Sequence, residues 1–379
     1  MTYDTSIYTS SHNPVIGLGK VVMFLDLDYF FAQVEEIENP SYLGRPLVVC
    51  VYSGRTEDSG VVSSANYLAR KHGVKAGMPI KRAKRLLPSE AVFLPVRLEH
   101  YAEVSWRVMT ILKKHSDRMR VESIDEAVME VTETVGGSFE RAEELAVMVK
   151  REIRQGLGLK CSIGIAPNRV VAKIAADAAK PDGLKTVRPE EVADFLKPLP
   201  ATALPGIGAK AWSYLEGIGV KTIGDLSSLP IEVLAKVFGG KKARYIYLAS
   251  RGEFDEPIEE KTTFKQVSRI ITLKQNTRDV DEVVSALAPA VNDALARLEA
   301  NNLEATTLGI IAIAADLRTV TRQTQIRPGT SIEETMRIVR NLFSELLQEE
   351  GGMVLRRAGV RFAGLKQRLG QSRLSSYLQ

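Results

Sequence analysis

The chain is poor in the residues that build cross-links and soft-metal centres. Its 379 residues include two cysteines and four histidines. Cys50 and Cys161 stand far apart with no CxxC pair, which excludes a disulfide framework and a zinc site and leaves both as core thiols. His12, His72, His100 and His115 fall in no ligand-like spacing. There is no apolar run of about eighteen residues, and the N-terminus lacks the charged-then-apolar pattern of a secretory signal. The expectation is a soluble, intracellular, cytoplasmic protein with no membrane partner. Neither sign of charge dominates: 51 Lys and Arg against 46 Asp and Glu give +5, which permits nucleic-acid binding without requiring it.

What is there suffices for two to four compact units, with 45% hydrophobic residues to fill their cores. Residues 1–19 are polar and read as a flexible leader. Val21 to Leu25 is an apolar run, a buried strand carrying Asp26 and Asp28 at its end. A helix is expected over Glu99–His115, with apolar recurrence at Val104, Val108, Ile111 and Leu112. A hairpin (Met119–Ile124 and Ala127–Val131), a helix (Phe139–Gln155) and a strand (Cys161–Ala166) follow, the order of a split βαβ sheet. The stretch 30–96 reads as an insertion, with a strand at Leu47–Tyr52 and a helix opening near Ser63-Ser64. Short glycine-punctuated helices fill 188–254, and 255–265 reads as a linker.

From 266 to 368 the order strand, helix, strand, strand, helix, strand returns, with its charges segregated. Lys265, Arg269, Lys274, Arg318, Arg322, Arg327, Arg356, Arg357, Arg361 and Lys366 lie on strand-like segments and their ends. The acids sit almost entirely on the helical stretches 279–304 and 333–350. A solvated surface would mix the signs, so this pattern predicts a sheet facing nucleic acid.

Asp26 and Asp28, two apart on a strand, point to one face. Ser123-Ile124-Asp125-Glu126-Ala127 sets two more carboxylates at the hairpin edge, and strands in this order can lie side by side. Carboxylates without histidines suit a hard, oxygen-loving divalent ion; the alternative is that they cap turns or pair with surface arginines. Adjacent strand residues face opposite ways, so Asp125 and Glu126 can share a site only where the strand bends into the hairpin. Leu204-Pro205-Gly206-Ile207-Gly208-Ala209-Lys210 has the form of a helix-hairpin-helix. There Gly206 and Gly208 allow close backbone approach, and the amides before Lys210 can meet a DNA phosphate.

Four segments resemble, in the right order, the signature motifs of the Y-family DNA polymerases, and look like the archaeal DNA polymerase IV (DinB-like) group. They are Asp-Leu-Asp-Tyr-Phe-Phe-Ala-Gln-Val-Glu-Glu (26–36); Val-Cys-Val-Tyr-Ser-Gly-Arg with Glu-Asp-Ser-Gly-Val-Val-Ser-Ser-Ala-Asn-Tyr-Leu-Ala-Arg-Lys (49–71); Ser-Ile-Asp-Glu-Ala (123–127); and Gly-Ile-Ala-Pro-Asn-Arg-Val-Val-Ala-Lys-Ile-Ala-Ala-Asp-Ala-Ala-Lys-Pro-Asp-Gly (164–183). The resemblance spans roughly 20–368 and implies an α+β right-hand polymerase. Its parts would be a βαββαβ palm (20–29 and 97–187), small fingers (30–96), a helical helix-hairpin-helix thumb (188–254) and a separate α+β little finger (266–368). The implied activity is template-directed DNA synthesis across damaged templates, with low fidelity and no proofreading exonuclease.

By the same resemblance Asp26, Asp125 and Glu126 match the catalytic metal-binding carboxylates, with Leu27 adding its carbonyl; Asp28 matches an acid that is not normally a direct ligand. Two Mg²⁺ ions, with Mn²⁺ as a substitute, would serve nucleotidyl transfer. Tyr67, Arg70 and Lys180 match contacts to the incoming deoxynucleoside triphosphate, and Phe31 the position that excludes ribonucleotides. Val51, Val61, Ser63 and Gly77 match the roof over the nascent base pair. Primer-template DNA would be held by Gly206, Gly208, Lys210, Arg269, Arg322, Arg357 and Arg361. In the tail (369–379), Gln371, Leu374, Tyr377 and Leu378 resemble a sliding-clamp-binding peptide. A monomer associated with the nucleoid of an archaeon or bacterium is the expected setting. A catalytically silent DNA-binding relative is opposed by the three intact acids, and a nucleotide cyclase by the glycine-rich thumb and basic little finger.

Overall fold

The computed structural model describes residues 19–259 and 265–368. The chain folds into two compact units. One comprises the described residues of 1–49, 63–75 and 87–260, the other those of 50–62, 76–86 and 261–379. The expected leader, part of the linker and the clamp-binding tail lie outside the described residues.

In chain order the first segment gives β1 (Val22–Leu27), α1 (Phe30–Glu38), β2 (Leu47–Tyr52), β3 (Gly60–Ala65), α2 (Tyr67–Lys71), α3 (Ile80–Leu86), β4 (Val92–Pro95) and α4 (Leu98–Lys114). It continues with β5 (Arg118–Val121), β6 (Glu126–Glu130), α5 (Phe139–Leu157), β7 (Cys161–Ala166), α6 (Arg169–Ala179) and β8 (Leu184–Thr186). One five-stranded sheet runs β5-β6-β1-β7-β8, with β1 antiparallel to both neighbours. Both faces of β1 are covered, which is why its sequence is continuously apolar rather than alternating. Met23, Leu25 and Leu27 pack with Val108 and Leu112 of α4 and Val149 of α5. Val22 and Phe24 face the other way, packing with Val128 and the apolar side of α6. That second core runs on through α7 (Val192–Leu196), α8 (Ala209–Gly217), α9 (Ile223–Ser227), α10 (Ile231–Phe238) and α11 (Gly240–Ala249).

Local signals set the boundaries. Ser138 caps α5 by accepting from the Arg141 amide, and Gly158 closes it at φ 72°. Asn168 caps α6 through the Val171 amide. One expectation is corrected here: Ser63 and Ser64 belong to strand β3, not to a helix. The preceding Val61-Val62 pair favours extended backbone. The helix opens at Tyr67, where the Asn66 side chain accepts from the Ala69 amide. β2, β3 and β4 form a sheet in the order β3-β2-β4.

The second unit is built on β9 (Gln266–Thr277), α12 (Val280–Ala300), β10 (Leu303–Glu304), β11 (Thr307–Ala314), β12 (Thr319–Gln325), α13 (Ile332–Glu349), β13 (Leu355–Ala363) and β14 (Lys366–Gln367). Its four-stranded sheet runs β12-β11-β13-β9, with α12 and α13 packed on one face. Val267, Leu308, Ile310, Val360 and Phe362 fill the core between sheet and helices. Within this unit Arg55 donates to the Leu273 carbonyl (2.6 Å) and to Asn276 Oδ1 (2.7 Å). Among the described residues no helix is long and apolar enough to cross a membrane.

Candidate active site

The site lies at the end of β1. Asp26 stands opposite Glu126 across the β6 ladder and opposite Ser162 across the β7 ladder. Opposite residues of an antiparallel pair project to the same side, so the Asp26 and Glu126 carboxylates share the face on which α6 packs. Gly164 makes the close seating of α6 possible: a Cβ there would lie 2.0 Å from the Ala172 carbonyl oxygen. Through that seating Lys173 donates to Glu126 Oε1 and Lys180, at the end of α6, to Asp26 Oδ2, both at 2.5 Å. Lys180 also meets Asp177 at 3.0 Å.

Asp125 occupies the turn before β6. Its carbonyl accepts from the Leu27 amide (2.9 Å) and its carboxylate from Ser123 Oγ (2.6 Å), so the hairpin does bend where both acids sit. The structure thus brings Asp26 and Glu126 together as a pair and anchors Asp125 alongside by its backbone. Among the described residues no three of His, Cys, Asp and Glu are gathered into a metal-holding group. An ammonium lies on each paired carboxylate, and a hydroxyl holds the third acid.

Burial pushes the Asp26 carboxyl up to about 7; Lys180 offsets this in part, and the Glu126 charge adds to it. Lys180 moves oppositely to a typical buried amine: burial pulls its pKa down, but Asp26 and Asp177 hold it above the ordinary lysine range.

Asp28 is 1% exposed and is no part of that pair. It accepts from Ser162 Oγ (3.0 Å), the Asp182 amide (2.7 Å) and Tyr67 Oη (3.3 Å), and so ties α2 and the turn after Lys180 to the strand end. Burial, then the Asp28 charge, raises the Tyr67 phenol to about 12, so it remains a donor. Arg70 lies over the Tyr67 ring at 5.1 Å, the three-residue repeat expected of one helix face. Phe31 is half-buried and stacks on Tyr101. Ser63 is half-buried on β3, whereas Val51, Val61 and Gly77 are exposed in the second unit.

Gly206 adopts φ +97°, and Gly208 precedes the first turn of α8, with Lys210 exposed just inside it. The basic sheet residues divide by strand phase. Arg357 and Arg361 stand opposite Thr272 and Ser268, away from the helices, and Arg361 donates to Gln323 Oε1 at 2.7 Å. Arg269 and Arg322 stand opposite Val360 and Ile310, on the helix-covered face, where they pair with Asp293 of α12 and Glu349 of α13. The expectation of one arginine surface is corrected to two faces.

Lys173, Ser162 and Tyr101 were not among the expected site residues. Lys173 and Asp177 follow the helical i, i+4, i+7 rule with the expected Lys180 along one face, a signal that could have found Lys173. Ser162 and Tyr101 have no such signal, because only the sheet register and a ring contact give them a role.

Three family models match: the impB/mucB/samB family over 25–177, its C-terminal domain over 264–375, and the DNA polymerase-iota thumb domain over 202–253. The DNA polymerase IV of Saccharolobus solfataricus is 42% identical over 341 residues, 90% of this chain and 95% of that one. The DNA polymerase IV of Methanosarcina acetivorans is 39% identical over 365 residues, 94% of this chain and 99% of that one. Among solved structures, a Y-family DNA polymerase chimera built on Dbh superposes with a TM-score of 0.85 at 42% identity, covering 91% of this chain and 98% of that one. An insertion ternary complex of Dbh DNA polymerase gives 0.65 at 41%, covering 90% and 98%. The chain belongs to the Y-family DNA polymerases. It is a DNA-directed DNA polymerase of the translesion-synthesis class with an α+β right-hand fold, and its relatives within the family carry the name DNA polymerase IV.

Proposed function

We propose that Asp26, Glu126 and Asp125, with the Leu27 carbonyl, form the centre of nucleotidyl transfer and hold two Mg²⁺ ions, with Mn²⁺ as a substitute. The observation that carries this is the cross-strand Asp26–Glu126 pair, buried enough that Asp26 is pushed up to about 7 although a lysine touches it. The donors are all oxygen, as hard divalent ions require, and the two lysine contacts mark the face as one that draws cations. When bound, such ions activate the primer 3′-hydroxyl and neutralise the departing pyrophosphate.

The chain's own residues bind and orient around that centre. Tyr67 and Arg70, on one face of α2, and Lys180 supply a hydroxyl, a guanidinium and an ammonium for the triphosphate. Asp28 holds the first and the last of these in register through Tyr67 Oη and the Asp182 amide. Phe31 lies under the sugar, where a ring excludes a 2′-hydroxyl. Residues 20–29 and 97–187 act as palm, 30–96 as fingers, 188–254 as thumb and 266–368 as little finger, with 255–265 as linker. Gly206, Gly208 and Lys210 meet the duplex backbone, as do Arg357 and Arg361 on the open sheet face. Gln371, Leu374, Tyr377 and Leu378, outside the described residues, form a sliding-clamp peptide.

Asp125→Ala and Glu126→Ala are each expected to abolish nucleotide addition while leaving primer-template affinity within about threefold, because phosphate contacts elsewhere supply most of the affinity. Single-nucleotide extension alongside a DNA-binding titration checks this. Near-normal extension by either variant would overturn the assignment.

A further inference from the structure

We propose that Tyr101 is a specificity-determining residue: it is the rigid backing against which Phe31 selects the sugar of the incoming nucleotide. The proposal rests on the reading of Phe31 given above. A steric gate discriminates only as strongly as its ring resists displacement. A ring free to tilt by about 30° yields for a factor of roughly two to ten in equilibrium, which caps what sterics alone achieve. In this chain the Phe31 ring lies nearly parallel to that of Tyr101, with centroids 4.3 Å apart and planes 15° apart. Retreat in that direction is closed.

The backing is itself anchored. Tyr101 sits in the first turn of α4 and is fully buried. Its hydroxyl donates to Glu35 Oε1, on the same helix as Phe31. Glu35 is held by both arms of Arg97, Nε at 2.9 Å to one oxygen and Nη2 at 2.8 Å to the other. Arg97 also reaches Glu38, which in turn pairs with His100. Two carboxylates on α1 and three side chains at the start of α4 thus lock the two helices around the stacked rings. A buried phenol needs an acceptor in any role; here the acceptor is a buried carboxylate that Arg97 bridges twice, so the Tyr101 ring is tied to a fixed point rather than to a mobile one.

Tyr101 acts through Phe31 and is not assigned a contact with substrate. The readout is therefore the ratio of ribonucleotide to deoxyribonucleotide kcat/KM, which a general loss of packing does not move. Tyr101→Leu is expected to raise that ratio at least about tenfold while deoxyribonucleotide kcat/KM falls by less than about fivefold. Tyr101→Phe keeps the stack but releases the ring from Glu35, so its ratio should rise by roughly two- to threefold, between the parent and Tyr101→Leu. Tyr101→Met, closer in length and unbranched, serves as a second opening variant should the leucine variant fold poorly. Phe31→Ala is run beside them. A raised ratio in Phe31→Ala with a parental ratio in folded Tyr101→Leu or Tyr101→Met would overturn the role of Tyr101 and leave the gate standing. A parental ratio in Phe31→Ala as well would overturn both readings.

Discussion

Asp26 is the residue at which stability and function oppose each other. Its carboxyl is buried at the end of β1, faces Glu126 across the ladder, and rises from 3.8 to about 7 on folding. Between those two pH values the folded chain holds a proton that the unfolded chain has lost. The stability this group contributes is therefore fully present below about pH 4 and lost as pH rises through 7. At about 1.4 kcal/mol per tenfold the loss is at most ~4 kcal/mol, with the Lys180 contact already included in the value of about 7. Asp26→Asn removes the charge but leaves Lys180 its second partner, Asp177, at 3.0 Å. We predict that, without divalent ions, Asp26→Asn has a higher Tm than the parent at pH 8 and that the gain shrinks markedly at pH 5. Thermal unfolding at the two pH values checks this; an equal gain at both would show that Asp26 titrates normally. The same substitution should abolish synthesis, as expected of a charge kept against its folding cost for a ligand.

At the scale of elements, phase along a strand decides what an arginine can touch. Arg269 and Arg322 spend their charge on Asp293 and Glu349, whereas Arg357 and Arg361 face the open side among Ser268, Thr272 and Gln323. We predict that Arg357→Ala with Arg361→Ala lowers duplex affinity and reduces the slope of log K against log salt by about two. Arg269→Ala with Arg322→Ala should change the slope by much less, and each should change stability little, as exposed ion pairs do. Salt titrations of the two double variants separate the faces. This division was half legible in the sequence. Val267, Ile271 and Leu273 repeat at even spacing and place Arg269 on their own, apolar side, but β12 reads Thr-Val-Thr-Arg-Gln-Thr-Gln and offers little contrast to set its phase. Elements with strong local signals were legible nearly to the residue, such as the strand Cys161–Ala166 and the helix opening after Ser138. The Ser63-Ser64 segment was not, because serine serves both caps and strands and only pairing with β2 decides. In the site, the acids were legible from their motifs. The Asp26–Glu126 register, the Ser162 and Asp182 hold on Asp28, and the Phe31–Tyr101 stack arise between distant segments that no local pattern links.

At the scale of the whole molecule, the question is how so lightly charged a chain stays at a primer end. A net charge of +5 is small for an enzyme that must follow a duplex, and part of the basic inventory is neutralised internally, as at Lys173, Lys180, Arg269 and Arg322. The phosphate contacts proposed for the helix-hairpin-helix and the open sheet face would give a modest, salt-sensitive grip. Retention at the primer end can be raised without further DNA contacts by tethering, since a second attachment converts rebinding into an intramolecular event at millimolar effective concentration. The segment Gln371-Ser372-Arg373-Leu374-Ser375-Ser376-Tyr377-Leu378, outside the described residues, is the tether proposed above from its resemblance to a clamp-binding peptide. Leu378 stands where a second aromatic is usual in such peptides, so the expected affinity is modest. We predict that removing residues 371–379 leaves extension of short free primers unchanged and eliminates stimulation by a sliding clamp. Extension on a primed circle with and without the clamp checks this: full stimulation of the truncated enzyme would place the contact elsewhere on the chain, and loss of clamp-free extension would show that the segment supports the fold rather than the tether.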